Sequence, residues 1–166
     1  MKKLFIIRHA KSDWSNPNLD DFDRPLNHRG LKNAPFMGKV LKEQSISPDL
    51  ILSSPALRAI TTAQIIANEI GYKNEEISLN VDIYETDYIT LLNTIKELSD
   101  KNQTVFLVGH NPGLSDLVDY LCPMNLSMPT CAIVELDFNT LSWEGISKEN
   151  TDFVSYDFPK NYVENR

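Results

Sequence analysis

Residues 4–14, LFIIRHAKSDW, carry the pattern on which the interpretation of the whole chain depends. An apolar run over residues 4–7 ends on the adjacent pair Arg8 and His9, and a long polar segment follows. Short apolar runs between polar residues are typical of buried strands. Open α/β sheets bind ligands beyond the carboxyl ends of their strands, which is where this pair stands. Two polar residues after a strand are common, so the other loops must decide whether His9 is functional.

The composition is that of one globular domain spanning residues 1–166, with 42% hydrophobic and 23% charged residues. The formal net charge of −7 argues against nucleic acid or an anionic membrane surface as the main partner. Cys122 and Cys131 form no CxxC pair, and the four apolar residues before Arg8 are too few for a signal peptide. We therefore expect a cytoplasmic protein with free thiols and no nucleic-acid or membrane partner.

The hydrophobic pattern alternates between short strands and longer helices. Strands are predicted at residues 4–7, 49–53, 76–83, 104–108 and 131–138, and helices at 30–44, 56–71, 88–98 and 114–121. Residues 141–146 are expected to return from a turn as the second strand of a hairpin. The tail, residues 147–166, is expected to pack loosely at the periphery. This order predicts a three-layer α/β/α sandwich with a mostly parallel sheet and an antiparallel edge hairpin.

Residues 10–27 separate the first strand from the first helix and are rich in Asn, Asp and Pro. A loop of this length inside a globular domain is usually functional or disordered. Its apolar side chains favour an ordered loop packed over the domain; they are Trp14, Leu19, Phe22 and Leu26. Asn27 is predicted to cap the helix that follows.

Polar side chains follow several of the predicted strands. Because parallel strands point their carboxyl ends the same way, Arg8, His9, Arg58, Glu85 and His110 are expected to converge on one side of the sheet. Guanidinium groups bind phosphate oxygens in pairs, a protonated imidazole adds a charged donor, and a neutral histidine can attack phosphorus. Individually, Arg58 could be a surface cation, Glu85 a solvated acid and His110 a structural residue. Their shared position favours a phosphate site with His9 as the nucleophile.

Four motifs in this order resemble the signature segments of the histidine phosphatase superfamily, which includes the cofactor-dependent phosphoglycerate mutases. They are Arg8-His9-Ala10, residues 23–30 (DRPLNHRG), residues 53–63 (SSPALRAITTA) and residues 108–113 (VGHNPG). Within it, the nearest resemblance is to the SixA branch of protein-phosphohistidine phosphatases. Residues 10–12 (AKS), 109–113 (GHNPG) and 128–132 (MPTCA) favour that branch, as does the short chain. The resemblance implies a phosphoglycerate mutase-like fold.

The resemblance also implies roles for individual residues. His9 would be the nucleophile that carries a phosphohistidine intermediate, and Arg8, Arg58 and His110 would bind the phosphoryl group. Ser12 falls at a matching position of the first motif and would lie beside the substrate. No metal ion or cofactor is implied. The implied partner is a phosphorylated substrate, in this branch the phosphohistidine of a protein.

Three positions are less well matched to the family. Glu85 falls near the position of the family's general acid, but its surroundings carry little of the motif, and a short branch could lack a dedicated acid. Ser15 stands where many members have an Asn that contacts phosphate. Ala10 replaces Gly, which restricts the backbone slightly.

Other functions stay open at this point. A phosphatase of small phosphomonoesters is the main alternative, and a phosphate-binding module without activity is a further one. A mutase would need a pocket for two phosphates, and we expect no further Arg/Lys cluster to build one. A metal hydrolase is disfavoured because the three histidines, His9, His28 and His110, are scattered and His28 is expected to have no role in the site.

Overall fold

The amino-terminal apolar run forms strand β1 (Lys2–Arg8), near the middle of a six-stranded sheet in the computed structural model, which describes residues 1–162. The other strands are β2 (Leu50–Ser53), β3 (Ser78–Leu79), β4 (Thr104–Gly109), β5 (Ile133–Phe138) and β6 (Thr151–Asp157). Their order across the sheet is β3-β2-β4-β1-β5-β6. Neighbours from β3 to β1 are parallel, whereas β5 is antiparallel to β1 and β6. The carboxyl ends of β1, β2 and β4 therefore meet at one edge of the sheet.

Helices cover both faces of this sheet: α1 (His28–Glu43), α2 (Leu57–Ile70), α3 (Tyr88–Lys96) and α4 (Gly113–Leu121). In β1, Phe5 and Ile7 belong to the core shared with α1 and α2, whereas Leu4 and Ile6 belong to the core shared with α3 and α4. All four side chains are at most 3% exposed, because both faces of the strand are covered. The predicted three-layer α/β/α sandwich is confirmed.

Helix α1 begins at His28, earlier than the predicted start at residue 30. The Asn27 side chain accepts the Gly30 N–H at 2.9 Å, as predicted for an N-cap. Pro35 lies inside the helix.

The predicted third strand is wrong over most of its length. Only Ser78–Leu79 pairs with β2, and a 3-10 helix over Val81–Ile83 follows. The Asn80 side chain accepts the Asp82 N–H at 2.9 Å, which closes a turn in place of strand pairing.

The predicted hairpin partner of β5 is also wrong. Residues 141–146 form no strand, because Trp143 is fully buried and its indole N–H donates to the Asn102 carbonyl at 2.8 Å. The partner of β5 is β6, which lies in the tail that we expected to pack loosely. That expectation is wrong for Thr151–Asp157, whereas residues 163–166 of the tail lie outside the described residues.

Both cysteines are free, as expected. Cys131 is fully buried, and burial raises the pKa of its thiol to about 12. No helix within residues 1–162 is long and apolar enough to cross a membrane.

Candidate active site

A cavity of about 280 Å³ lies beyond the carboxyl ends of β1, β2 and β4. Every residue that the sequence analysis assigns to the site lines it: Arg8, His9, Ser12, Arg58, Glu85 and His110. Five further residues complete its wall, namely Lys11, Trp14, Asp21, Arg24 and Thr130. The strand order thus brings the predicted residues together.

His9 is held as a neutral imidazole with a defined tautomer. Its Nδ1 lies 2.7 Å from the Ala10 carbonyl oxygen, which can only accept, so Nδ1 carries the hydrogen and Nε2 the lone pair. The side chain is buried, and burial lowers the pKa of His9 to about 3, with further contributions from His110, Arg58 and Arg8. Near pH 7, Nε2 is therefore unprotonated and has a free lone pair.

His110 lies beside His9, with 5.1 Å between the ring centroids. Its Nε2 is 2.7 Å from the Ser54 hydroxyl oxygen, which also accepts the Ala56 N–H at 3.2 Å. We infer that the Ser54 hydroxyl donates its hydrogen to His110 Nε2, so the ring hydrogen of His110 is on Nδ1. Burial, with the charge of Arg58, lowers the pKa of His110 to about 4. His110 is therefore a neutral imidazole near pH 7, and Ser54 is a positioning residue that the sequence analysis missed.

Arg8 is anchored from the far side of the site. Its Nη1 donates to the Met128 carbonyl at 2.9 Å, and the same carbonyl accepts from Asn111 Nδ2 at 2.8 Å. Asn111 follows His110 at the end of β4, so one carbonyl joins the ends of β1 and β4. Met128 and Asn111 belong to two of the three segments that favour the SixA branch in the sequence.

Three buried donors at this cavity have no hydrogen-bond partner: Arg8 Nε, Arg58 Nε and His110 Nδ1. Among the described residues, the one other buried side-chain polar atom in this condition is Asn74 Oδ1. A buried donor without an acceptor costs about 1–3 kcal/mol, so such groups are few in folded proteins. The residues that carry these three donors all line the cavity, and their two guanidinium groups and one imidazole are suited to bind an oxyanion with several acceptor oxygens.

Residues 4–104 match the sequence model of the histidine phosphatase superfamily, branch 1. The chain belongs to this superfamily. A relative within it is a 2,3-bisphosphoglycerate-dependent phosphoglycerate mutase of Rhodopseudomonas palustris, 34% identical over 87 residues. That match covers 51% of this chain and 42% of the mutase.

Two solved structures of histidine phosphatases are similar over almost their whole length. One is a protein of Agrobacterium tumefaciens provisionally named phosphohistidine phosphatase SixA, with a TM-score of 0.82 and 27% identity. The match covers 95% of this chain and 98% of that one. The other is a protein histidine phosphatase SixA in complex with tungstate, with a TM-score of 0.82, 23% identity, and coverage of 96% and 98%. The superfamily and the SixA-like fold together indicate a phosphatase.

Asp21 is the main residue of this histidine phosphatase site that the sequence analysis missed. Its carboxylate accepts from Arg58 Nη2 at 2.9 Å, from Tyr84 Oη at 2.6 Å and from Arg24 Nε at 3.2 Å. Its backbone carbonyl accepts from Arg58 Nη1 at 2.7 Å. Burial opposes the charged form, but the hydrogen bonds from Tyr84 and Arg58 and the charge of Arg58 outweigh it and hold the pKa of Asp21 well below its usual range. Asp21 therefore remains charged and orients Arg58.

Arg24 fixes the loop that carries Asp21. It is buried, its Nη1 donates to the Ser12 hydroxyl at 2.6 Å, and its guanidinium lies 3.5 Å from the centre of the Trp14 ring. The Trp14 side chain itself is 75% exposed, so this part of the loop is ordered by charge and stacking rather than by apolar burial. Of the four predicted apolar anchors, only Leu26 is buried. The sequence signal for Arg24 was its place within the second motif, residues 23–30.

The less certain positions are placed as follows. Glu85 is exposed at the cavity rim, with a φ of +47°. Ser15 does not line the cavity, and its N–H donates to the Asp13 carboxylate. Ala10 has no positive φ and donates its N–H to Thr62 Oγ1 at 2.9 Å, so the replacement of Gly causes no backbone strain.

A second cavity adjoins the first, and it contradicts the expectation that no further Arg/Lys cluster lies here. It has a volume of about 380 Å³ and shares Arg8, Lys11 and Thr130 with the cavity that contains His9 and His110, which we call the catalytic cavity. Arg29 and Lys160 also line it. Among the described residues, no group of three His, Cys, Asp or Glu side chains could hold a metal ion.

Proposed function

We propose that this histidine phosphatase hydrolyses phosphohistidine in proteins without a metal ion, through a phosphorylated His9. The observation that carries the proposal is the fixed tautomer of His9. His9, with its unprotonated Nε2, lines one cavity together with Arg8, Arg58 and His110, each of which carries a buried donor without a hydrogen-bond partner. A nucleophile beside donors for a phosphoryl group is the arrangement that phosphoryl transfer to a side chain needs.

The proposed reaction has two steps. In the first, the lone pair of His9 Nε2 forms a bond to phosphorus while the bond from phosphorus to the substrate nitrogen breaks, and the imidazole leaves with its proton. In the second, water attacks phosphorus, the bond to Nε2 breaks, and orthophosphate is released. Arg8 and Arg58 stabilise the charge on the equatorial oxygens in both steps.

The choice of phosphohistidine as substrate rests on the leaving group and on the share of each similar protein that this chain covers. A protonated imidazole leaves readily, so the reaction does not require a strong general acid, and Glu85 at the exposed rim would assist only poorer leaving groups. The SixA-like neighbour from Agrobacterium tumefaciens is covered over 98% of its length, whereas the mutase relative is covered over 42%. Free thiols at Cys122 and Cys131 are in keeping with a reducing compartment such as the cytoplasm.

The test is phosphate release from a phosphohistidine-bearing carrier protein. We expect His9→Ala to abolish release while the protein stays folded, and wild-type enzyme trapped in alkali to carry an acid-labile phosphate on His9. His28→Ala is the matched control, because His28 is exposed at the start of α1 and does not line the cavity. Turnover without any phosphoenzyme in single-turnover experiments would overturn the covalent mechanism.

Small phosphomonoesters are the alternative substrates. A panel that compares a phosphohistidine protein with several small esters at equal concentration separates the two. A higher kcat/KM on the esters would assign the enzyme to them.

A further inference from the structure

The cavity beside the catalytic site, which we call the basic cavity, is lined by cationic side chains in an acidic protein. Arg8, Lys11, Arg29 and Lys160 line it, and none of its lining residues is an Asp or Glu. The chain as a whole has a formal net charge of −7. The catalytic cavity differs, because Asp21 and Glu85 offset part of its positive charge. The described lining of the basic cavity thus supplies cationic groups and no carboxylate, in contrast to that of the catalytic cavity.

Three of these cations, Arg8, Lys11 and Arg29, form no ion pair with another described residue. The ion pairs within the described residues involve Lys3, Arg24 and Arg58, and neither Lys11 nor Arg29. Arg8 is the last residue of β1, and three further segments supply the other cations: the loop after β1, the first turn of α1 and the segment after β6. An added Cβ at Gly30 would lie 2.2 Å from the Lys11 carbonyl oxygen, so glycine allows α1 to approach that loop. This close approach places Arg29 and Lys11 on one cavity.

The shape of the basic cavity limits its ligand. Its volume of about 380 Å³ suits a side chain rather than a folded element, and Pro129, Phe158 and Pro159 give it an apolar wall. An aspartate or glutamate side chain has both a methylene stem for such a wall and a carboxylate for the cations. Arg8 and Lys11 line both cavities, so this acidic side chain would lie close to the transferred phosphoryl group.

We propose that the basic cavity binds an acidic side chain next to the phosphohistidine of the protein substrate. This inference rests on the proposed function and adds a determinant of specificity to it. The acidic group contributes to binding before and during the reaction alike, so its loss raises KM and leaves kcat unchanged.

The experiment uses two phosphohistidine peptides that differ only in Glu or Gln beside the phosphorylated residue. We expect wild-type enzyme to have a kcat/KM about tenfold higher on the Glu peptide, and Arg29→Gln to reduce this preference to about twofold or less through KM. Arg29→Glu is expected to favour a Lys-flanked peptide instead. Lys32→Gln, an exposed lysine of α1 outside the cavity, is expected to keep the wild-type preference.

The outcomes separate this inference from the proposed function. Hydrolysis of both peptides with no preference, or a preference that persists in Arg29→Gln and Arg29→Glu, overturns the inference alone. Hydrolysis of neither peptide overturns the proposed function and the inference with it. A bisphosphorylated small molecule that outperforms both peptides, in a manner dependent on Arg29, would reassign the cavity to a second phosphate.

Discussion

Two regions of the catalytic cavity are held in place by different forces. The strand-end region, consisting of Arg8, His9 and His110, is fixed largely by bonds to backbone carbonyls and to a buried hydroxyl. The loop region, residues 11–27, has backbone pairing at its base, where the N–H groups of Asp13 and Asn27 donate to the carbonyls of Pro25 and Lys11. Its middle part is held by the ion pairs of Asp21 with Arg24 and Arg58. Backbone contacts keep their strength when pH and salt change, whereas ion pairs at a half-exposed carboxylate do not. The groups that we propose to react thus lie in the strand-end region, whereas the carboxylate that orients Arg58 lies in the loop region, which is more sensitive to pH and salt.

The largest effect is expected from the strand-end region. We expect His110→Ala to lower kcat on the order of 100- to 1,000-fold, because it removes an imidazole of the cavity wall that we propose stabilises the phosphoryl group. Single-turnover kinetics would measure the loss, with His28→Ala as the control. A reduction of only a few-fold would mean that the loop region, not the strand ends, supplies most of the stabilisation.

The two regions are also expected to respond to acid in different pH ranges. His9 has a pKa of about 3 in the folded protein, lowered from 6.5. Between pH 6.5 and pH 3, His9 is therefore protonated in the unfolded chain and neutral in the folded protein. Its neutral form therefore favours folding less as pH falls. The pKa of Asp21 is lowered, so its contribution persists over that range down to its ordinary pKa and is lost only below it.

Urea unfolding at pH 7 and pH 5 would measure this difference. We expect the free energy of unfolding of wild type to fall by about 2 kcal/mol more than that of His9→Asn over this interval. The reason is that protonation of His9, with its ordinary pKa in the unfolded state, stabilises that state as the pH falls. Asp21→Asn is expected to lose as much as wild type. Equal losses in wild type and His9→Asn would show that the pKa of His9 is the same in the folded and the unfolded protein.

A smaller effect is expected when the loop region loses its charge. Asp21→Asn removes the carboxylate that competes with phosphate for Arg58, so we expect inhibition by orthophosphate to become about fivefold stronger at low salt. The gain should shrink at high ionic strength because the charges are screened. Weaker inhibition by orthophosphate would mean that Asp21 serves mainly to hold Arg58 in place.

The smallest effect concerns a position where the chain departs from the family. Ser15 does not line the cavity, so we expect Ser15→Asn to change kcat/KM less than twofold. Steady-state kinetics on the same substrate would check this. A large gain would show that the loop can turn this position towards the phosphate.

The comparison also explains what the sequence could predict. Four site residues lie at the carboxyl end of a parallel strand or in the first turn of the helix after it, and strand order alone brings them together. They are Arg8, His9, Arg58 and His110. Asp21 and Arg24 could not be found in this way, because their pairing depends on how a long loop folds back, which leaves no periodic signal. Trp143 misled the hairpin prediction for a related reason: the alternating pattern at residues 141–146 does not reveal that its indole binds the distant Asn102 carbonyl.

Strand β6 has a protective role that its sequence conceals. It pairs with the outer edge of β5, where Val134, Leu136 and Phe138 are fully buried and backbone groups would otherwise be left unpaired. An uncovered edge of this kind is a template for strand addition by another copy of the chain. Removal of residues 151–166 would therefore promote aggregation, even though every residue of the catalytic cavity would remain.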